Sequence, residues 1–284
     1  MRKINEKTMD VKNHDTRPEV LPIKKIVKET DSIWTFVFEY ELGSKPGQFV
    51  MLWVPGVDEN PFSIAYDDGK EFWLTIANVG DATAALFELG TGAKVGIRGP
   101  FGTSYEVEEG DHLALLAGGY GAAPMYNVAV NALKKGCKVE MIVGARSADL
   151  LLYEERVEAL GVDVTYHAAT DDGSKGHHGY NTEVLEEMLA ADDLEGGPIT
   201  RVFSCGPEVM MKKGAELALK KGVPSAVSLE RYMKCGIGVC GQCCMDDSGI
   251  RACKEGPVYD GAAALELSEF GKYHRDSVGR KVDW

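Results

Sequence analysis

The sequence has no hydrophobic run approaching the ~18 or more apolar residues of a membrane-spanning helix. Its opening stretch, MRKINEKTMDVKNHDTRPEV, carries no apolar segment of an export signal. These absences predict a soluble, cytoplasmic protein with no membrane partner. Positive charge is scarce: 31 Lys and Arg stand against 44 Asp and Glu, a formal charge of −13. That balance argues against nucleic acid as a partner. With 44% hydrophobic and 26% charged residues, the chain also lacks the composition of disordered or fibrous proteins. What is left for 284 residues is a globular protein of about two domains.

Seven cysteines are present, and five of them, Cys235, Cys240, Cys243, Cys244 and Cys253, are crowded together. Without an export signal, such crowding favours metal ligation over a disulfide framework. The spacing Cys235-x4-Cys240-x2-Cys243 is that of three ligands of a plant-type 2Fe-2S cluster. For the fourth ligand, Cys244 adjoins Cys243 and in an extended segment points the other way. Cys253 lies beyond the turn Asp246-Asp247-Ser248-Gly249, which can return the chain to the cluster. The predicted metal ligands are therefore Cys235, Cys240, Cys243 and Cys253. Gly236, Gly238 and Gly241 permit the close approach of backbone amides. A tetrathiolate zinc site is the competing reading, but zinc usually takes two C-x2-C pairs and here there is one.

From Val20 to about Val107 the chain reads as short strands with period-two alternation: SIWTFVFEY (32–40), QFVMLWV (48–54), FSIAY (62–66), EFWLTIA (71–77) and KVGIRG (94–99). With one helical stretch at 82–89, this predicts an antiparallel barrel. After Asp111 the texture changes to apolar strands at 112–119, 138–145, 163–170 and 201–206. They alternate with helical periods at about 123–135, 149–160, 181–190 and 207–221, the pattern of a parallel sheet covered on both faces. The expected division is a polar tail over 1–17, a barrel domain over 18–109, an α/β domain over 110–229 and a cluster module over 230–284. The last piece is too short to own a hydrophobic core.

At the first turn of the α/β domain, Gly118-Gly119-Tyr120-Gly121-Ala122-Ala123-Pro124 aims backbone amides and a helix N-terminus at a phosphate. It departs from the ordinary dinucleotide fingerprint. Pro124 replaces the third glycine, and Gly144-Ala145-Arg146 stands where an acidic ribose ligand is usual. Ser204-Cys205-Gly206-Pro207 ends another strand at the same edge. So does Thr170-Asp171-Asp172-Gly173-Ser174, whose acidic pair could hold ribose hydroxyls or simply close a solvated turn.

Taken in order, Pro61-Phe62-Ser63, Gly80-x-x-Thr83, Gly99-Pro100-Phe101-Gly102, the Gly118–Pro124 turn and Cys205-Gly206-Pro207 resemble the ferredoxin-NADP reductase superfamily over residues 20–225. The appended Ser228-Leu229-Glu230, Met233-x-Cys235-Gly236-x-Gly238-x-Cys240 and Cys253-x-x-Gly256-Pro257-Val258 resemble more narrowly the electron transfer subunits of NAD-dependent dihydroorotate dehydrogenase. The resemblance implies FAD on the barrel, NAD on a Rossmann-like parallel sheet and a 2Fe-2S cluster in the C-terminal module. It places Ser63 near flavin N5 and Cys205 beside the nicotinamide as catalytic residues. Asn60, Pro61, Phe62, Thr75, Ile76, Ala77, Ala82 and Thr83 would be flavin contacts. Gly118, Gly119, Gly121, Asp171, Asp172, Gly206 and Pro207 would be nucleotide contacts. Relatives often carry Arg where Asn60 stands, to pair with the FAD pyrophosphate; Arg98 is the candidate substitute or else a surface residue.

A cluster passes single electrons and NAD accepts a hydride, so a flavin must stand between them. The expected function is an oxidoreductase subunit of pyrimidine (UMP) biosynthesis, relaying electrons from the FMN of a dihydroorotate-oxidising catalytic subunit, in a heterotetramer, to NAD+. Two other readings stay open. One is the diaphorase subunit of a ferredoxin-dependent NADP transhydrogenase or cytosolic hydrogenase; the other is a non-enzymatic, zinc-stabilised binding module.

Overall fold

A computed structural model describes residues 17–191 and 194–284. Of the tail expected over 1–17, all but Arg17 lies outside the described residues. The first seven strands are β1 (Glu19–Pro22), β2 (Lys25–Lys28), β3 (Ile33–Glu39), β4 (Phe49–Val54), β5 (Asp58–Asp67), β6 (Glu71–Ala77) and β7 (Lys94–Phe101), with helix α1 (Asp81–Phe87) before the last. They form one curled antiparallel sheet in the order β1-β7-β4-β5-β6-β3-β2. Phe36, Phe38, Phe72, Leu74 and Ile76 alternate inward to fill it. Each such fully buried ring is worth about 1.5–3 kcal/mol. The opposite face of β3 is covered as well, because Thr35 meets Thr75 (2.8 Å), which in turn meets Tyr153 of the second domain (2.6 Å).

The second sheet runs β8 (His112–Gly118), β9 (Lys138–Ala145), β10 (Val164–Thr170), β11 (His177–His178), β12 (Arg201–Cys205) and β13 (Ser225–Ser228). Helices α2 (Ala122–Leu133), α3 (Glu154–Glu158), α4 (Asn181–Ala190) and α5 (Glu208–Lys221) lie between these strands. The parallel ladder has the order β11-β10-β9-β8-β12-β13. Two apolar clusters cover its faces, one with α2 and α3, the other with α4 and α5. Gly118 and Cys205, at the carboxyl ends of two neighbouring strands, therefore share one edge. The helix expected over 149–160 is shorter. Tyr153 takes a left-handed conformation (φ 70°) so that Leu152 and Tyr153 enter the core, and α3 starts only after it.

The C-terminal region holds α6 (Ala252–Glu255), β14 (Val258–Asp260), α7 (Gly261–Leu265) and the small hairpin β15 (Tyr273–Arg275) to β16 (Lys281–Asp283). β14 pairs antiparallel with β13 and so extends the parallel sheet. The region has no separate core. Met233, Cys243, Met245, Cys253 and Phe270 join Phe49, Met51 and Phe101 of the barrel and Met211 and Ala215 of α5 in one buried cluster.

Candidate functional site: a cleft and a four-cysteine loop across one wall

A cleft of about 220 Å³ opens between the two sheets. That is below the ~300–1,000 Å³ of a whole small-molecule pocket. Its barrel wall is Pro61, Phe62 and Ser63 of β5, Thr75, Ile76 and Ala77 of β6, and Thr83 of α1. Its other wall is Tyr120, Gly121, Pro124 and Cys205 from the edge of the parallel sheet. Gly121 is required there, since a Cβ would lie 2.2 Å from the Cys205 carbonyl oxygen. Of the residues expected at cofactors, these nine (Pro61, Phe62, Ser63, Thr75, Ile76, Ala77, Thr83, Gly121 and Cys205) come together in the cleft.

The others lie elsewhere. Asn60 sits in the β4–β5 ladder opposite Leu52, and Ala82 is half-buried in α1 away from the lining. Thr83 lines the cleft, but its hydroxyl is engaged by the amides of Val79 (3.0 Å) and Gly80 (2.9 Å). Gly118, Gly119, Gly206 and Pro207 do not line the cleft but adjoin it at the same sheet edge; Gly206 is so close to Gly118 that a Cβ would meet its backbone at 2.8 Å. Asp171 and Asp172 are exposed in a turn beyond the cleft, and Asp172 accepts from the Ser174 amide and hydroxyl. Arg98 is neither a surface residue nor a free phosphate ligand. It forks onto Glu59 (2.7 and 2.6 Å) and donates to the Cys235 carbonyl at 3.2 Å.

Burial raises the Cys205 thiol well above its ordinary value, and the nearby Glu230 adds to this against a hydrogen bond with Ser228. Cys205 is thus a neutral thiol, not a nucleophile. Glu230 lines the cleft and is partly open to solvent, yet is crowded by surrounding protein. That desolvation raises its pKa, although Tyr120 donates to it at 3.1 Å. Glu230, Tyr120, Ser228, Arg231 and Met233 line the cleft without having been expected as site residues. The Ser228-Leu229-Glu230 motif was the available signal, but its partner Tyr120 is 110 positions away.

Behind the cleft the cysteines form two pairs. Cys243 and Cys253 are in hydrogen-bond contact, which lowers the first and, with burial, raises the second, as expected for two thiols that cannot both ionise in contact. The side chains of Cys235 and Cys240 are likewise in contact. Against the opposing effect of burial, the amides of Cys240, Ile237 and Val239 bring Cys235 down to about 7. Further amides aim at sulfur: Gly238 N to Cys253 Sγ (3.2 Å) and Cys253 N to Cys243 Sγ (3.4 Å). Gly238 can do this because it lies at φ 78°. Cys253 is returned by the turn, which closes through Met245 N to Ile250 O (2.7 Å) and a bridge between Cys244 and Arg251. Among the described residues, no three His, Cys, Asp or Glu side chains converge on a point for one ion. Two thiolate pairs ringed by amides fit a binuclear cluster, with its negative charge, better than one tetrahedral zinc ion. Among the described residues, no helix is long and apolar enough to cross a membrane.

Comparison with known proteins agrees with this arrangement. Residues 230–264 match the iron-sulfur cluster binding domain of dihydroorotate dehydrogenase B, and residues 115–216 match the oxidoreductase NAD-binding domain. A protein of Methanocaldococcus jannaschii named "Probable dihydroorotate dehydrogenase B (NAD(+)), electron transfer subunit" is 42% identical over 94% of this chain and 98% of its own length. One of the same name from Methanocella arvoryzae is 44% identical over 93% and 98%. The solved structure of an NADH-dependent reduced ferredoxin-NADP oxidoreductase, described for flavin-based electron bifurcation, has a TM-score of 0.75 and 26% identity. It covers 86% of this chain, which spans 89% of that one.

Proposed function

The chain belongs to the family of electron transfer subunits of dihydroorotate dehydrogenase B (NAD(+)), and we propose that it carries electrons from a separate dihydroorotate-oxidising subunit to NAD+. The observation that carries this reading is the shared wall. Phe49 and Met233 line the cleft and also belong to the buried cluster that holds Cys243 and Cys253. When bound, the 2Fe-2S cluster supplies one-electron transfer and FAD converts two single electrons into a hydride for NAD+.

Each residue then has a definite task. Cys235, Cys240, Cys243 and Cys253 would hold the cluster. Ser63 orients the flavin from the barrel side. Cys205, uncharged, would face the nicotinamide, and Gly121 and Pro124 would leave room for the ring in the cleft. Gly118, Gly119, Gly206 and Pro207 shape the edge that receives the dinucleotide. Asp171 and Asp172 lie where a ribose could extend beyond the cleft. Asn60, Ala82 and Thr83 act through the backbone of β5 and α1. The division of labour sets boundaries near residues 109 and 229. The partner is an FMN-containing catalytic subunit, joined in a heterotetramer of cytoplasmic pyrimidine biosynthesis.

Anaerobic assay of NAD+ and NADP+ reduction in parallel, with and without that subunit and dihydroorotate, tests this. NADH formed only with both present is the expected result. The likeness to the ferredoxin-NADP oxidoreductase favours a second reading, a diaphorase subunit serving another partner. It gains if the FMN subunit fails to support turnover.

A further inference from the structure

Arg231 is a buried cation held between two buried carboxylates from distant parts of the chain. Its Nη1 donates to Glu208, the first residue of α5, and its Nε to Glu269 at 2.5 Å. The three side chains are 4%, 2% and 2% exposed. Each carboxylate also accepts a backbone amide: Glu208 that of Gly271 (2.9 Å) and Glu269 that of Asp246 (2.8 Å). At one end, Glu208 directly follows Gly206-Pro207, the turn set against Gly118. At the other, Asp246 opens the turn that carries the chain from Cys243 to Cys253. Arg231 itself lines the cleft.

As a source of stability this arrangement is poor. Buried ions recover their desolvation cost incompletely, and an apolar group of the same volume is often as good or better. Here two carboxylates share one guanidinium, and Nη2 has no partner. The best-attested use of such groups is registry or switching between arrangements. The bridge joins the two elements whose relative placement matters for electron flow, the nucleotide edge and the cluster loop.

We propose that Glu208, Arg231 and Glu269 are positioning residues that couple occupation of the Gly118–Gly121 and Gly206–Pro207 edge by a pyridine dinucleotide to the placement of the Cys243–Cys253 loop. A dinucleotide seated there presses on the Pro207–Glu208 turn. Any change in the hold of Glu208 on Arg231 redistributes the guanidinium toward Glu269, which carries the Asp246 amide with it. Linkage makes the effect reciprocal, so the state of the cluster loop also sets dinucleotide affinity. This inference rests on the reading of that edge as the nucleotide site.

Amide hydrogen exchange on the holoprotein, with and without saturating NAD+, tests both. The expected result is protection at Gly118–Gly121 together with a change of about fivefold or more at Asp246 and Gly271, lost in Arg231→Lys and in Glu269→Gln. The same variants should remove any NADH-induced change in the electron paramagnetic resonance spectrum of the dithionite-reduced cluster. Protection at Gly118–Gly121 with Asp246 and Gly271 unmoved in the wild-type protein overturns the coupling and leaves the nucleotide site standing. No protection at Gly118–Gly121 overturns the nucleotide site and the coupling with it.

Discussion

The parallel sheet buries apolar side chains on both faces, in two clusters drawn mainly from its own strands, helices and connections, although Ala65 of the barrel and Val258 of β14 join one of them. The residues after Glu230 bury most of theirs, Val258 apart, in a cluster to which the barrel contributes Phe49, Met51 and Phe101 and α5 contributes Met211 and Ala215. One region is held mainly by its own core. The other is held mainly by its neighbours. Local failure in the first should propagate through a whole domain, whereas failure in the second should release the cluster loops and leave the flavin and nucleotide machinery standing.

The largest expected effect comes from Cys253→Ser. It should abolish the iron-sulfur absorption and paramagnetic signal while NADH-driven ferricyanide reduction through the flavin persists. Cys244→Ser should keep the cluster, and the reverse pattern would falsify the ligand assignment. Next is Arg231→Met, which leaves Glu208 and Glu269 as unpaired buried carboxylates at a cost of about 3–5 kcal/mol. Hydrogen exchange should place the loss in residues 230–284 and not in β8 to β10. Gly121→Ala sharpens the contrast from the other side. Its Cβ would collide with the Cys205 carbonyl, so about 1–3 kcal/mol should be lost from the sheet domain, with weaker NAD+ binding and an intact cluster.

The smallest effect is set by pH. Burial works to raise Glu140, but hydrogen bonds to His167 (2.6 Å) and His112 (3.2 Å) outweigh it and lower its pKa below the ordinary 4.5. A carboxylate depressed in the folded state adds stability above its unfolded pKa and loses it as pH falls through the folded value. Thermal unfolding measured below pH 4.5 should therefore soften in the sheet domain, and Glu140→Gln should flatten that dependence.

The same contrast governs what could be read without coordinates. The strands around 48–54 and 71–77 were legible because alternation is local, and the iron-sulfur segment was legible because cysteine spacing is local too. β14 was not, since three residues become a strand only by pairing with β13 some 30 positions earlier. The truncation of α3 was hidden because tertiary burial of Leu152 and Tyr153 overrides their helical periodicity. In the site, Ser63 and Cys205 were found by motif. The Tyr120–Glu230 pair and the Arg231 bridge join residues 23 to 110 positions apart and leave no pattern in sequence. The partners of Arg98 were equally out of reach, because only the folded chain brings Glu59 and the Cys235 carbonyl to it.

The antiparallel seam between β13 and β14 has a practical meaning for anyone dissecting this chain. A fragment ending at Leu229 would leave β13 as an open edge, its backbone donors and acceptors unpaired and ready to recruit a strand from another molecule. Such a fragment would tend to self-associate even if its flavin and dinucleotide surfaces were perfectly formed. Transplanting residues 230–284 onto another reductase would work only where the host offers a matching edge strand. The iron-sulfur segment therefore behaves less as a detachable cassette than as the last stitch of the sheet that precedes it.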